Sequence, residues 1–146
     1  MRPMGYTTGQ IALAVKRLQS RHHRAIEARL APLRLTVAQW DALRHLRRRP
    51  DASLHELAEL TFQTDQSMGT LATRMVARGL IERVDAPGRA VRHRITAEGE
   101  RLLGAAQVEV DATLAGSLGV LTDNELEGLG AMLERVLGSD MPAGRP

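Results

Sequence analysis

Between Ser53 and Gly99 the chain strings together two short helical segments, a basic hairpin and a threonine-led entry into a long helix, an order that leaves few folds open. The run Thr64-Asp65-Gln66-Ser67-Met68-Gly69-Thr70-Leu71-Ala72-Thr73-Arg74-Met75 places Met68, Leu71, Ala72 and Met75 at helical spacing and small hydrogen-bonding residues on the remaining face. Four arginines (Arg83, Arg89, Arg92 and Arg94) then surround Pro87-Gly88, a dipeptide that turns a chain. A helix able to enter a groove, followed by a cationic hairpin, has the parts with which a winged helix-turn-helix grips DNA.

Helix starts are marked repeatedly. Thr36 precedes Gln39 by three residues, with Leu35 and Trp40 at the two positions of a hydrophobic staple. Thr122 stands in the same relation to Glu125, with Leu121 and Leu126 as staple, and Ser53 to Glu56. Thr96 opens a stretch running to Leu118, with Glu98 in its first turn, where a carboxylate suits the helix dipole. Caps and apolar spacing together predict helices over 8–31, 37–48, 54–60, 65–78, 97–118 and 123–137. The first carries the stripe Ile11, Val15, Leu18, His22, Ile26 and Leu30 and ends before Pro32; the fourth ends at Gly79, which suits the left-handed position after a helix. Residues 81–84 and 91–95 alternate as two short strands joined by a loop over 85–90. The expected fold is mainly α with a small β-hairpin wing, a winged helix-turn-helix with six helices, and residues 139–146 read as a flexible tail.

At 146 residues the chain suits a single domain spanning 1–146. Aromatic residues make up only 2%, one each of Tyr6, Trp40 and Phe62. The core must therefore be aliphatic and methionine-based, and stacking platforms for single-stranded nucleic acid are lacking. Double-stranded DNA is the better-matched polyanion. Net charge is only +3, but its distribution is uneven. Residues 21–49 hold eight arginines against Glu27 and Asp41, and residues 121–140 hold five acids against Arg135. Opposite signs on separate segments divide a basic working face from an end that avoids DNA. The absence of cysteine removes disulfides, thiolate metal sites and thiol-based redox sensing. No apolar run approaches the roughly 20 residues of a membrane span, and residues 1–10 lack the pattern of a secretory signal. A cytoplasmic protein without a membrane partner is expected.

Leu35-Thr36-Val37-Ala38-Gln39-Trp40-Asp41-Ala42-Leu43, Met75-Val76-Ala77-Arg78-Gly79-Leu80-Ile81-Glu82-Arg83 and Arg94-Ile95-Thr96-Ala97-Glu98-Gly99 together resemble the MarR family of bacterial regulators, a likeness that extends over nearly the whole chain. The resemblance implies a homodimer in which terminal helices (8–34 and 100–138) of both subunits interlock. A winged part over 36–99 then reads one half-site of a pseudo-palindromic operator. It also implies an effector pocket between the first, second and fifth helices. Members of the family usually carry Asp-x-Arg at the wing tip. The matching positions here are Pro87, Gly88 and Arg89, so the arginine lacks its usual carboxylate, and Asp85 is the expected substitute.

On the fourth helix Gln66, Ser67, Thr70, Thr73 and Arg74 lie off the apolar stripe and are the expected base-reading residues, since Gln bonds adenine, Thr offers hydroxyl and methyl, and Arg grips guanine or phosphate. Arg89 is expected in the minor groove, whose narrow stretches attract arginine, and Arg92 and Arg94 on phosphates. The plainer alternative for Arg92 and Arg94 is ion pairing with Glu98 or Glu100. For an anionic aromatic effector the expected residues are His22, Arg24, Trp40 and Arg44, an arginine clamping a carboxylate; the alternative is that Trp40 merely staples its helix and His22 is a hydrogen-bonded core residue. Zinc needs three or four converging ligands, and no such spacing occurs, so neither metal nor cofactor is expected.

The leading reading is a sequence-specific, double-stranded-DNA-binding transcriptional regulator, a repressor by preference, acting as a homodimer and released by a small anionic or aromatic effector. The competing reading is a winged-helix protein-interaction module without DNA binding. An enzyme is not expected: no phosphate-cradling glycine loop, no H-E-x-x-H and no nucleophile motif appears.

Overall fold

In a computed structural model, which describes residues 5–138, the chain forms helices α1 (Thr8–Leu30), α2 (Val37–Arg48), α3 (Leu54–Leu60), α4 (Asp65–Ala77), α5 (Ala97–Leu118) and α6 (Asp123–Leu137), and strands β1 (Ile81–Val84) and β2 (Arg92–Ile95). The segment 139–146, read as a tail, lies outside the described residues. Thr36 and Thr122 form reciprocal capping boxes with Gln39 and Glu125, and Ser53 and Thr96 cap α3 and α5. Thr7 (a box with Gln10) and Thr64 cap α1 and α4 in the same manner.

Helix ends are stopped by one device used three times. After α4, Gly79 sits at φ 73, its N–H bonds the Val76 carbonyl, and the Leu80 N–H reaches back to Met75. That is the Schellman arrangement. The same pair of bonds recurs after α3, where Phe62 holds φ 55, and after the 3-10 turn Ala31–Leu33 that extends α1, where Arg34 holds φ 54. The first helix therefore does not run unbroken to residue 31: it tightens at Ala31, and Pro32 is accommodated inside the 3-10 turn.

Each of the first five helices contributes a narrow stripe to one core: Leu30 from α1, Leu43 and Leu46 from α2, Leu57 from α3, Met68 and Met75 from α4, and Leu103 and Val110 from α5. Leu80 and Ile81 carry the core into the wing. The hairpin is antiparallel, with Ile81 opposite Ile95, Arg83 opposite His93 and Val84 opposite Arg92. Ser53 adds an isolated bridge to Arg92, so the α2–α3 connection lies against the wing stem as a rudimentary third strand. Gly99 is needed at the base of α5: a Cβ there would collide with the Leu80 carbonyl and approach Ile95 Cγ1 to 2.8 Å.

The expected stripe of α1 is buried only at its C-terminal end. Ile26 and Leu30 are enclosed, whereas Ile11 and Val15 are each 50% exposed. α1 and α5 run antiparallel, with His22 Nε2 2.7 Å from Ser117 Oγ and Arg29 facing Glu109 at 3.9 Å. α6 buries no residue at all, and Leu126, Met132, Leu133 and Val136 remain open. Apolar faces of this extent need a cover that the described residues do not provide.

Candidate nucleic-acid interface

α4 presents the polar face expected of it. Met68, Ala72 and Met75 are buried, and Leu71 packs partly against the core. Gln66, Ser67, Thr73 and Arg74 are exposed and Thr70 is exposed on the same face. Gln66 and Thr70, one turn apart, form a ridge between two grooves. One groove, about 530 Å³, separates α4 from the wing and is lined by Gly69, Thr73, Arg83 and His93. The other, about 380 Å³, runs along Gln63, Ser67, Leu71 and Arg74. Thr70 Oγ1 donates to the Gln66 carbonyl and Thr73 Oγ1 to that of Gly69. Both hydroxyl protons are thereby spent within the helix, and the two threonines show lone pairs and methyl groups outward.

Sequence reasoning does not single out Gln63, Arg83 or His93 as site residues, though all three line these grooves. Register carries the missing signal: Arg83 pairs across the hairpin with His93 and so falls on the face turned to α4. His93 is buried with Nδ1 unpartnered. Burial, then the Arg83 charge, pushes its imidazole below the ordinary value, against an opposing pull from Asp85.

The wing tip is a tight turn. The Arg89 N–H donates to the Ala86 carbonyl at 3.1 Å, Pro87 and Gly88 occupy the corner, and Gly88 holds φ 75. This is the type II pattern, proline followed by a residue of positive φ. Arg89 leaves the turn exposed. Asp85 does not stand in for the missing wing-tip carboxylate, because its Oδ1 accepts from Arg83 Nε at 2.8 Å. Arg92 braces the stem, Nε donating to the Asp51 carbonyl (3.0 Å) and Nη1 to that of Ala90 (3.2 Å). Its remaining guanidinium N–H groups are the ones left for a phosphate. Arg94 faces Glu82 across the hairpin at 3.6 Å. Neither arginine pairs with Glu98, which Arg101 holds in a two-pronged contact that keeps the Glu98 carboxyl below its usual range.

The α3–α4 corner is held by His55, whose Nδ1 lies 2.8 Å from Asp65 Oδ1 and whose Nε2 lies 3.0 Å from Glu59 Oε1. The bond to Asp65, then the charges of Asp65 and Glu59, raise the His55 pKa.

The four expected effector residues do not line one cavity. His22 lies in a groove with Val15, Leu18, Ile26 and Leu114. Arg24, two residues along the same helix and hence about 200° around it, is exposed and lines no part of that groove. Trp40 and Arg44 stack on each other, the guanidinium carbon 5.1 Å from the ring centroid. Arg44 is further engaged through Nη2 by Asp41 at 2.6 Å, so one nitrogen of its guanidinium is already occupied. Trp40 Nε1 and Arg44 Nε are buried without partners. Among the described residues no group of three His, Asp or Glu side chains converges as metal ligands, and no helix is long and apolar enough to cross a membrane.

Among the described residues, six helices and a two-stranded wing, with the exposed polar face of α4 beside it, define a winged helix-turn-helix protein with long terminal helices. Residues 35–90 match the model of the MarR family. The HTH-type transcriptional repressor Rv2887 of Mycobacterium tuberculosis is 33% identical over 140 residues, 94% of this chain and 95% of that protein. The chain belongs to the MarR family. Its fold is similar to that of Rv2887 in complex with DNA (TM-score 0.75, 27% identity, 90% of this chain and 98% of that one). It is also similar to the same M. tuberculosis protein in complex with salicylic acid (TM-score 0.72, 28% identity, 91% and 98%).

Proposed function

We propose that this chain is a transcriptional repressor rather than an enzyme, working in the cytoplasm as a homodimer on a pseudo-palindromic operator. The observation that carries the reading is the Gln66–Thr70 ridge, which faces the stem residues Arg83 and His93 of the cationic hairpin across one groove, on one continuous core. Gln66, Ser67, Thr70, Thr73 and Arg74 read base edges in the major groove. Arg89 enters the minor groove, and Arg92 and Arg94 hold phosphates. The open apolar faces of α1 and α6 are the dimer seam, so residues 8–34 and 100–138 serve assembly and 36–99 serve DNA. The complexes of Rv2887 with DNA and with salicylic acid support both the partner and the effector class. A small aromatic acid in the α1–α5 region releases the operator by favouring a conformer whose reading helices no longer match successive grooves.

The test is a binding titration on duplexes selected from a random pool. Wild-type protein binds a palindromic class with an affinity that falls steeply with salt. Arg89→Ala loses at least about tenfold, the scale of one good groove contact, and its sedimentation stays that of wild type. Indifference of the wild type to every duplex at low ionic strength overturns the proposal.

A further inference from the structure

We infer that the C-terminal end of α2, at Arg47 and Arg48, is a second phosphate-binding surface that engages the duplex on the outer side of the wing. The inference rests on the DNA-binding reading above and extends it to residues outside the reading helix and hairpin.

Three observations place the surface. Arg92 Nε bonds the Asp51 carbonyl, the Leu54 N–H bonds the Val91 carbonyl, and Ser53 bridges to Arg92. The connection leaving α2 is thus laced to the wing stem immediately below Arg89. Arg48 precedes Asp51 by three residues, so its Cα stands within about 11 Å of the residue that is bonded to the wing stem. Arg47 and Arg48 are exposed and, among the described residues, neither has a carboxylate partner; Arg49 is drawn off toward Glu56 at 3.8 Å. Asp41, the acid within α2 itself, is engaged by Arg44 and His45.

A helix end does not require this much charge. The C-terminus of a helix carries about half a negative charge, whereas the last turn of α2 holds His45, Arg47 and Arg48, and Arg49 forms the cap. His45 registers the surplus: burial first, and then Arg44, Arg48 and Arg49, push its imidazole down despite Asp41. Unneutralised guanidinium groups beside a wing that meets DNA face a polyanion with one charge per roughly 1.7 Å of axis.

The experiment compares wild type with Arg47→Gln/Arg48→Gln on two duplexes, one ending at the wing contacts and one longer by a half turn on each side. Wild type is expected to gain affinity on the longer duplex, with the log-log salt slope steeper by about 1.8 per subunit, two phosphates at about 0.9 each. The double variant should lose that gain and bind the short duplex like wild type. Arg47→Lys/Arg48→Lys should restore it, which separates charge from folding. Equal slopes for wild type and double variant on the longer duplex overturn the inference. Failure of wild type on both duplexes overturns the DNA-binding reading instead.

Discussion

Arg78, at the C-cap of α4, donates through Nη1 to the main-chain carbonyl of Arg34, 44 positions earlier in the chain. The same nitrogen reaches Gln39 Oε1 at 3.2 Å, the oxygen that also accepts the Thr36 N–H in the capping box of α2. One residue on, the Gly79 carbonyl accepts from Thr96 Oγ1 at the start of α5. The trailing end of the proposed reading helix is therefore tied to the corner that ends α1 and to the first turn of α5.

Arg78→Ala is expected to cost about 0.5–1.5 kcal/mol, the net worth of an accessible hydrogen-bonded group. It should also raise amide exchange selectively in the last turn of α4. Denaturant titration with residue-resolved hydrogen exchange checks both, and uniform exchange across α4 would remove Arg78 as the tie.

Phe62 holds a left-handed backbone at 95% exposure, so its ring contributes little packing while its Cβ is strained. Phe62→Gly should stabilise the protein by up to about 1 kcal/mol, strain relief less the entropy of glycine. A melting temperature below that of wild type contradicts this account.

Gly69 and Gly99, on either side of the wing in sequence, should respond oppositely to alanine. Gly99→Ala forces a methyl into the Leu80 carbonyl and should cost about 1–3 kcal/mol. A methyl group at position 69 would meet nothing within 4 Å in the free chain, so Gly69→Ala should add up to about 1 kcal/mol of helix stability. Because Gly69 lines the groove between α4 and the wing, that variant should bind duplex less well while melting later. The pair of measurements, thermal unfolding and duplex titration, must diverge.

His55 and His93 should give opposite pH signatures. The His55 pKa is raised in the fold, so its stabilising contribution is complete below the unfolded value near 6.5 and disappears as pH rises through the folded value. The His93 pKa is lowered, so its contribution is present above about 6.5 and is lost as pH falls through the folded value. Imidazole resonances followed by NMR should titrate above about 6.5 for His55 and below it for His93. His55→Gln should narrow its stability gap to wild type as the solution is made alkaline. A gap that is constant from acid to alkaline pH removes the salt-linked corner.

Much of this architecture is legible without coordinates because caps are local. The bounds of α2, α3, α5 and α6 follow from a threonine or serine and the apolar spacing behind it. The left-handed turn that stops a helix is legible where glycine makes it, at Gly79. Arg34 and Phe62 make the same turn with side chains that propensity gives no reason to place there. The role of Arg83 is hidden because its direction depends on which residue it faces across the hairpin, a matter of register. The separation of Arg24 from His22 and the capture of Arg44 by Asp41 are matters of which neighbours compete for a guanidinium, and sequence spacing does not rank competitors.

α6 has its own consequence. A helix of 15 residues with no side chain buried among the described residues is marginal in water, so its order depends on the proposed dimer seam. Its persistence then obeys mass action: thermal tolerance should climb with the number of copies per volume, and a cell that makes very few of them holds a softer molecule than one that makes many.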